Sequence, residues 1–296
     1  MTVVLKNRYA LIHIDKPNQN YNHPRFDWTG KIVKVNYKGS ILTGYEKENA
    51  PADSNIGRGF YNEFGIDRPI GFSECMNGEW FHKIGVGLLK KDGTEYSFDH
   101  PYEIKPLEFK IEADSTRAII RCEGEEVNGY GYQYEKQVIL KDHGFKIYYT
   151  IMNTGSKIIE TDEYNHNFVM LDNDFIGRNY QLNFAFDLLP GEVGETLNPG
   201  DIVKIEKSKI EFTYAPSSPL FYSFLNGKST VPARWEMINF RLGMGIREIG
   251  SFHCKKVNLW GWKGALSPEL FCEVKVRPGE KQVWTREYQF FTVGKE

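Results

Sequence analysis

The sequence predicts an all-β fold, a large antiparallel β-sandwich with little helix. Three observations carry this reading. Short runs of alternating apolar and polar residues recur about every dozen residues, the spacing of sandwiches and barrels. Gly-, Asp- and Asn-containing turns separate them. No long stretch keeps apolar residues at helical spacing without interruption. Sandwiches often run past about 200 residues as one unit, so the 296 residues read as a single domain spanning 1–296.

The elements follow in order. Lys31–Tyr37 alternates, Lys38-Gly39-Ser40 turns, and the chain returns through Ile41–Tyr45. Ala50–Asn55 is the most polar, loop-like stretch, a long surface loop ahead of Gly57-Arg58-Gly59. Val86–Leu89 leads through Lys91-Asp92-Gly93, a hairpin signal, into Glu95–Phe98. Leu107–Ile111 turns at Asp114-Ser115 into Ala118–Cys122, and Gln137–Leu140 turns at Asp142-His143-Gly144 into Phe145–Ile151. Pro190-Gly191 and Asn198-Pro199-Gly200 mark further tight turns.

Composition narrows the function classes. A net charge of −2 without long single-sign runs offers nothing to a polyanion, so nucleic acid is not an expected partner. The first residues are too charged for a signal peptide, and no apolar stretch approaches the roughly 20 residues of a membrane helix. No membrane partner is therefore expected. Cys75, Cys122, Cys254 and Cys272 lie far apart, without CxxC or Cys–His metal spacing, so free thiols in a cytoplasmic protein are expected. The 15% aromatic content admits two readings: strand propensity, and flat rings that stack on sugar faces.

Four segments, in order, carry a family resemblance. Leu140–Asn153 followed by Thr161–Phe168 resembles the middle of the aldose 1-epimerases, where a strand ending in an Asn turn precedes a strand carrying Asn-His before an aromatic. Arg25–Gly30 and Lys83–Gly87 resemble segments of divergent members, and Pro268-Glu269, Arg277–Glu280, Trp284 and Tyr288–Phe290 resemble their final strands. The resemblance implies a galactose mutarotase-like supersandwich with a sugar-binding face. It also implies an isomerase that interconverts the α and β anomers of an aldose or aldose derivative. The ligand would be a monosaccharide or sugar derivative, the protein a monomer or homodimer. Mutarotation needs a base near O1 and an acid near the ring oxygen, and no cofactor.

Within that frame His166 is the expected acid. Alternation over Tyr164–Phe168 puts Tyr164, His166 and Phe168 on one face and Asn165 and Asn167 on the other. Spacing alone also fits a buried structural histidine. For the base, Glu269, after Pro268 at the mouth of a strand Leu270–Val276, stands against Glu273 inside that strand; junction position favours Glu269. His82 lies where the family carries a His-Gly pattern, but Lys83 follows it, and neighbours on a strand face opposite ways, so only one of the two enters a site. Arg58 between glycines and Glu63 are candidate sugar ligands, or a surface pair. Trp260 and Trp262, across Gly261, line a groove or plug the core, and Arg25, Asp27 and Trp28 pair locally or border the cleft. Two other functions stay open: a sugar-binding sensor without turnover, and a polysaccharide lyase or hydrolase role.

Overall fold

Alternating strands buried on one face must cover that face, and here two large sheets cover each other. The computed structural model describes residues 2–48 and 56–294. The Ala50–Asn55 stretch lies outside the described residues. Among the described residues every strand pairing is antiparallel, and helix is confined to two short 3₁₀ turns, Phe72–Glu74 and Pro199–Asp201. The chain is an all-β sandwich.

One sheet has seven strands. Six run in the order Val3–Lys6, Ala10–Asp15, Lys31–Tyr37, Gly59–Phe64, Ile159–Phe168 and Cys272–Val276, and Ser40–Ile41 pairs beside Lys31–Tyr37. The other has ten strands. Its centre is Met244–Cys254, Lys281–Thr292, Gly144–Asn153 and Tyr130–Lys141. Between them lies an aromatic-rich core. Phe60 meets Phe145 and Tyr288 at ring-centroid distances of 5.3 and 4.8 Å, and Phe64 meets Tyr134 and Trp284 at 5.3 and 6.2 Å.

Two small sheets lie elsewhere. One joins Thr196–Leu197, Leu220–Tyr222, Val257–Trp262 and Ala265–Leu270, and the other joins Trp80–Lys83, Gly87–Lys90 and Ile104–Pro106. Gly59–Phe64 is buried at every residue, as expected of a strand covered on both faces.

The hairpins at Lys38-Gly39 and Asp142–Gly144 form as the sequence predicts. Two expectations need correction. Glu95–Phe98 is not a strand: Gly87–Lys90 pairs instead with Trp80–Lys83 and Ile104–Pro106. Tyr96 stacks on Tyr102 and packs edge-on against Phe72 and Phe81, a tertiary use of its ring that overrides strand propensity. Nor is Leu270–Val276 one strand. Leu270 ends a ladder with Val257, Cys272 begins a ladder with Glu163, and Phe271 between them carries the chain from the four-stranded sheet to the seven-stranded one. Glu269 therefore lies inside the strand Ala265–Leu270 rather than at the mouth of the next.

Candidate active site

The strand Ile159–Phe168 has two working faces, and alternation assigns them as the sequence predicts. Asn165 and Asn167 point between the large sheets, where they bond Tyr288. Tyr164, His166 and Phe168 point the other way, onto a wall of rings. His166 stacks on Phe168 with centroids 4.0 Å apart, meets Trp260 edge-on at 5.1 Å and Phe26 edge-on at 5.8 Å. Its Nε2 lies 3.4 Å from Glu269 Oε1. Both side chains are almost wholly withdrawn from solvent, at 3% and 5% exposure.

Burial acts on the two groups in opposite directions. It drives the His166 imidazole well below its ordinary 6.5, and the nearby Arg25 charge adds to this. It pushes the Glu269 carboxyl up to about 7, against the pull of Arg25, Asn258 and Lys256. The contact is therefore one between a neutral imidazole and a carboxyl group that titrates near neutrality. Ser267 Oγ, on the same face of the strand as Glu269, lies 3.4 Å from Glu269 Oε1, and Asn258 Nδ2, on the paired strand, lies 3.5 Å from Oε2.

A second cluster adjoins the first through Tyr164 and centres on Glu63. Lys83 Nζ donates to Glu63 Oε1 at 2.9 Å and to the Tyr96 hydroxyl at 2.8 Å. The Tyr164 hydroxyl donates to Glu63 Oε2 at 2.8 Å, and Arg25 Nε approaches the same oxygen at 3.2 Å. Burial works against the Lys83 charge, but Glu63 and Tyr96 outweigh it and hold the ammonium above its ordinary range. The Arg25 guanidinium lies over the rings of Phe26 and Phe98 at 4.4 and 4.5 Å and reaches Glu46 at 3.3 Å.

His166, Glu269, Glu63, Lys83, Tyr164 and Trp260 are thus brought together. The other sequence candidates are not. His82 faces away from its neighbour Lys83: Nε2–H donates to the Tyr130 carbonyl at 2.9 Å, the ring meets Tyr132 edge-on at 5.4 Å, and burial pushes its pKa down to about 4. Arg58 does not pair with Glu63, whose partners are Lys83, Arg25 and Tyr164; its guanidinium donates to the Asn20 carbonyl at 3.3 Å. The flanking glycines admit this chain itself. A Cβ on Gly57 would lie 2.4 Å from the Phe168 ring, and Gly59, at φ 62°, would set one 2.2 Å from the Ile32 carbonyl oxygen. Trp262 is fixed by an Nε1–H bond to the Tyr45 carbonyl at 2.7 Å. Glu273 is exposed and pairs with Lys255 at 2.9 Å. Among the described residues no three His, Cys, Asp or Glu side chains gather as a metal-binding set.

Arg25, Tyr96 and Ser267 are the members that sequence reasoning left unassigned. Ser267 carried a signal, since period-two spacing puts it on the face of Glu269. Arg25 stands in a segment that resembles the family, but its partners Glu46, Glu63 and Tyr164 lie 21, 38 and 139 residues away, so no local pattern assigns it a role.

No protein-family model matches the sequence, and no curated protein matches it. Solved structures do. A putative aldose 1-epimerase from Escherichia coli K12 superposes with a TM-score of 0.62 at 8% identity, covering 99% of each chain. A galactose mutarotase related enzyme from Lactobacillus acidophilus gives 0.61 at 10% identity, over 100% of this chain and 99% of that one. A protein from Synechocystis sp. PCC 6803 gives 0.65 at 15% identity, over 99% and 96%. The chain has the galactose mutarotase-like fold. Within this fold the imidazole and the carboxyl group arrive from two different sheets, and Phe271 lets one pass of the chain serve both. Its ring stacks on Tyr164 with centroids 4.6 Å apart. Among the described residues no helix is long and apolar enough to cross a membrane.

Proposed function

We propose that the chain is an aldose 1-epimerase-like isomerase, which opens and recloses the ring of a free sugar or sugar derivative with His166 and Glu269 as its proton-transfer pair. The observation that carries this is the 3.4 Å approach of His166 Nε2 to Glu269 Oε1 within a wall of aromatic rings. The two oxygens that exchange protons in mutarotation are bonded to one carbon, C1. Two adjacent groups on one side of a sugar can therefore reach both.

The protonation states suit the task. A group that titrates near the working pH both gives and accepts a proton readily, and Glu269 is pushed up to about 7. With His166 neutral, the exchangeable proton rests on Glu269, the reverse of the roles expected from the sequence. In ring opening Glu269 gives its proton to the ring oxygen as the C1–O5 bond breaks, and the imidazole takes the O1 proton as C1 becomes an aldehyde. After rotation about C1–C2 the C5 hydroxyl attacks either face. Its proton returns to Glu269, and the imidazolium returns one to O1. The pair ends as it began. Arg25, partly exposed and held by Glu63 and Tyr164, supplies donors for the sugar hydroxyls; Lys83 fixes Glu63 from behind, and Trp260 supplies a ring face.

A second reading is a sugar-binding protein without turnover on the same scaffold. The placement of His82, away from Glu269, favours it. The test is anomer exchange, by polarimetry and NMR, on a panel of aldoses, sugar acids and sugar phosphates. Exchange that disappears in Glu269→Gln supports the isomerase. Binding without exchange across the panel supports the second reading.

A further inference from the structure

His166 and Glu269 stand on strands of different sheets, so no continuous ladder sets their separation. Backbone hydrogen bonds join the two segments once, where Val169 and Leu266 exchange bonds of 3.1 and 2.9 Å. Two residues nearer the pair, Asn167 takes over. Its backbone N–H donates to Ser267 Oγ at 2.9 Å, and its side-chain Nδ2 donates to the Pro268 carbonyl at 2.6 Å. Pro268 and Ser267 are the two residues immediately before Glu269.

Asn167 is itself held from behind. Tyr288 Oη donates to its Oδ1 at 2.8 Å, and its Nδ2 also donates to Glu248 Oε2 at 3.1 Å. Glu248 is held in turn by Arg286 at 2.5 Å and by Trp235 Nε1 at 2.7 Å. Each of these side chains is buried, and the amide's acceptor and both its donors are used. A buried, fully satisfied network of this kind rigidifies what it touches.

We propose that Asn167 is a positioning residue, which fixes the separation of His166 and Glu269 by tying the Pro268 carbonyl and the Ser267 hydroxyl to the strand that carries His166. The proposal rests on the reading of His166 and Glu269 as the proton-transfer pair, but its test does not need turnover. Asn165 supplies a matched control. It lies on the same face of the same strand, accepts from Tyr149 Oη at 3.3 Å and donates to Tyr288 Oη at 2.6 Å, and among the described residues its side chain makes no hydrogen bond to the Glu269 strand.

The experiment compares Asn167→Ala, Asn167→Ser and Asn165→Ala. NMR of labelled protein, without sugar, follows the titrations of His166 and Glu269. The charges facing the pair are those of Arg25, Lys256 and Glu63, and none of the three substitutions removes one. Loosening the Glu269 strand admits water, so in Asn167→Ala and Asn167→Ser the Glu269 titration is expected to fall from about 7 toward 4.5 and that of His166 to rise toward 6.5. Asn165→Ala is expected to lose stability while both titrations stay in place. If Asn167→Ala does not fold, Asn167→Ser, which keeps a hydroxyl in place of the amide but cannot reach the Pro268 carbonyl and Tyr288 together, carries the expectation alone. Where a sugar is turned over, a misplacement of about 1 Å costs on the order of a hundredfold in kcat, with KM little changed. Titrations that shift equally in the Asn165 control, or in none of the variants, overturn the proposal. A protein that shows the shifts but turns over no sugar overturns only the isomerase reading.

Discussion

Lys83 Nζ and Glu63 Oε1 form a 2.9 Å ion pair that solvent does not reach, with 1% and 0% of the side chains exposed. Removing one member of a buried pair leaves an uncompensated charge, at a cost of about 3–5 kcal/mol. Lys83→Met is expected near the low end, because Arg25 and Tyr164 still face Glu63. Adding Glu63→Gln is expected to recover part of the loss. Denaturant unfolding of the parent, the single variant and the double variant measures this, and a double variant no more stable than the single would count against it.

His82 and Lys83 are neighbours with separate destinies. Since His82 donates to the Tyr130 carbonyl and faces Tyr132, His82→Gln is expected to leave anomer exchange nearly intact. Loss of a true proton-transfer group costs roughly 10²–10⁴-fold. A drop of that size in His82→Gln would mean that this histidine reaches the sugar after all.

For Glu269→Gln the full drop of about 10²–10⁴-fold is expected, with sugar affinity little changed, since the amide keeps the shape and loses the proton. Polarimetry measures the rate and NMR titration the affinity. Glu273→Gln should behave as the parent, because that carboxylate is exposed and pairs with Lys255.

Stability against pH tests the Glu269 environment without any sugar. Below about 4.5 both the folded and the unfolded chain hold this proton. Between 4.5 and about 7 the folded protein keeps it while the unfolded chain releases it, so the contribution of Glu269 to stability falls as pH rises. His166, with its folded value depressed, contributes the opposite slope below 6.5, and that slope is present in both proteins. Glu269→Gln is therefore expected to gain on the parent from pH 4.5 to pH 7, by on the order of 3 kcal/mol. Chemical denaturation across that range reads it, and a flat difference would show that the carboxyl is solvated.

Much of this was legible in the sequence because period-two alternation is a local signal. It separated Tyr164, His166 and Phe168 from Asn165 and Asn167, and turn chemistry located the hairpin at Asp142–Gly144. What local signals do not carry is the crossing between sheets. Nothing around Phe271 announces that the chain changes partners there, so the sequence puts Glu269 at the mouth of the wrong strand. Tyr96 failed differently: its ring suits a strand, and a distant lysine claims it. Arg25 stayed undecided because its partners are brought to it by the fold alone.

The strand Lys281–Thr292 lies in the interior of the ten-stranded sheet, between Met244–Cys254 and Gly144–Asn153, and it brings Arg286 to Glu163 and Glu248. A nascent chain that has emerged only as far as residue 280 has two half-sheets with open edges facing one another, and two acidic side chains without their cation. Neither half can close on the other. Such edges invite pairing with other chains, so a chaperone that shields strand edges until Lys281–Thr292 slots in between them should raise the yield of folded protein.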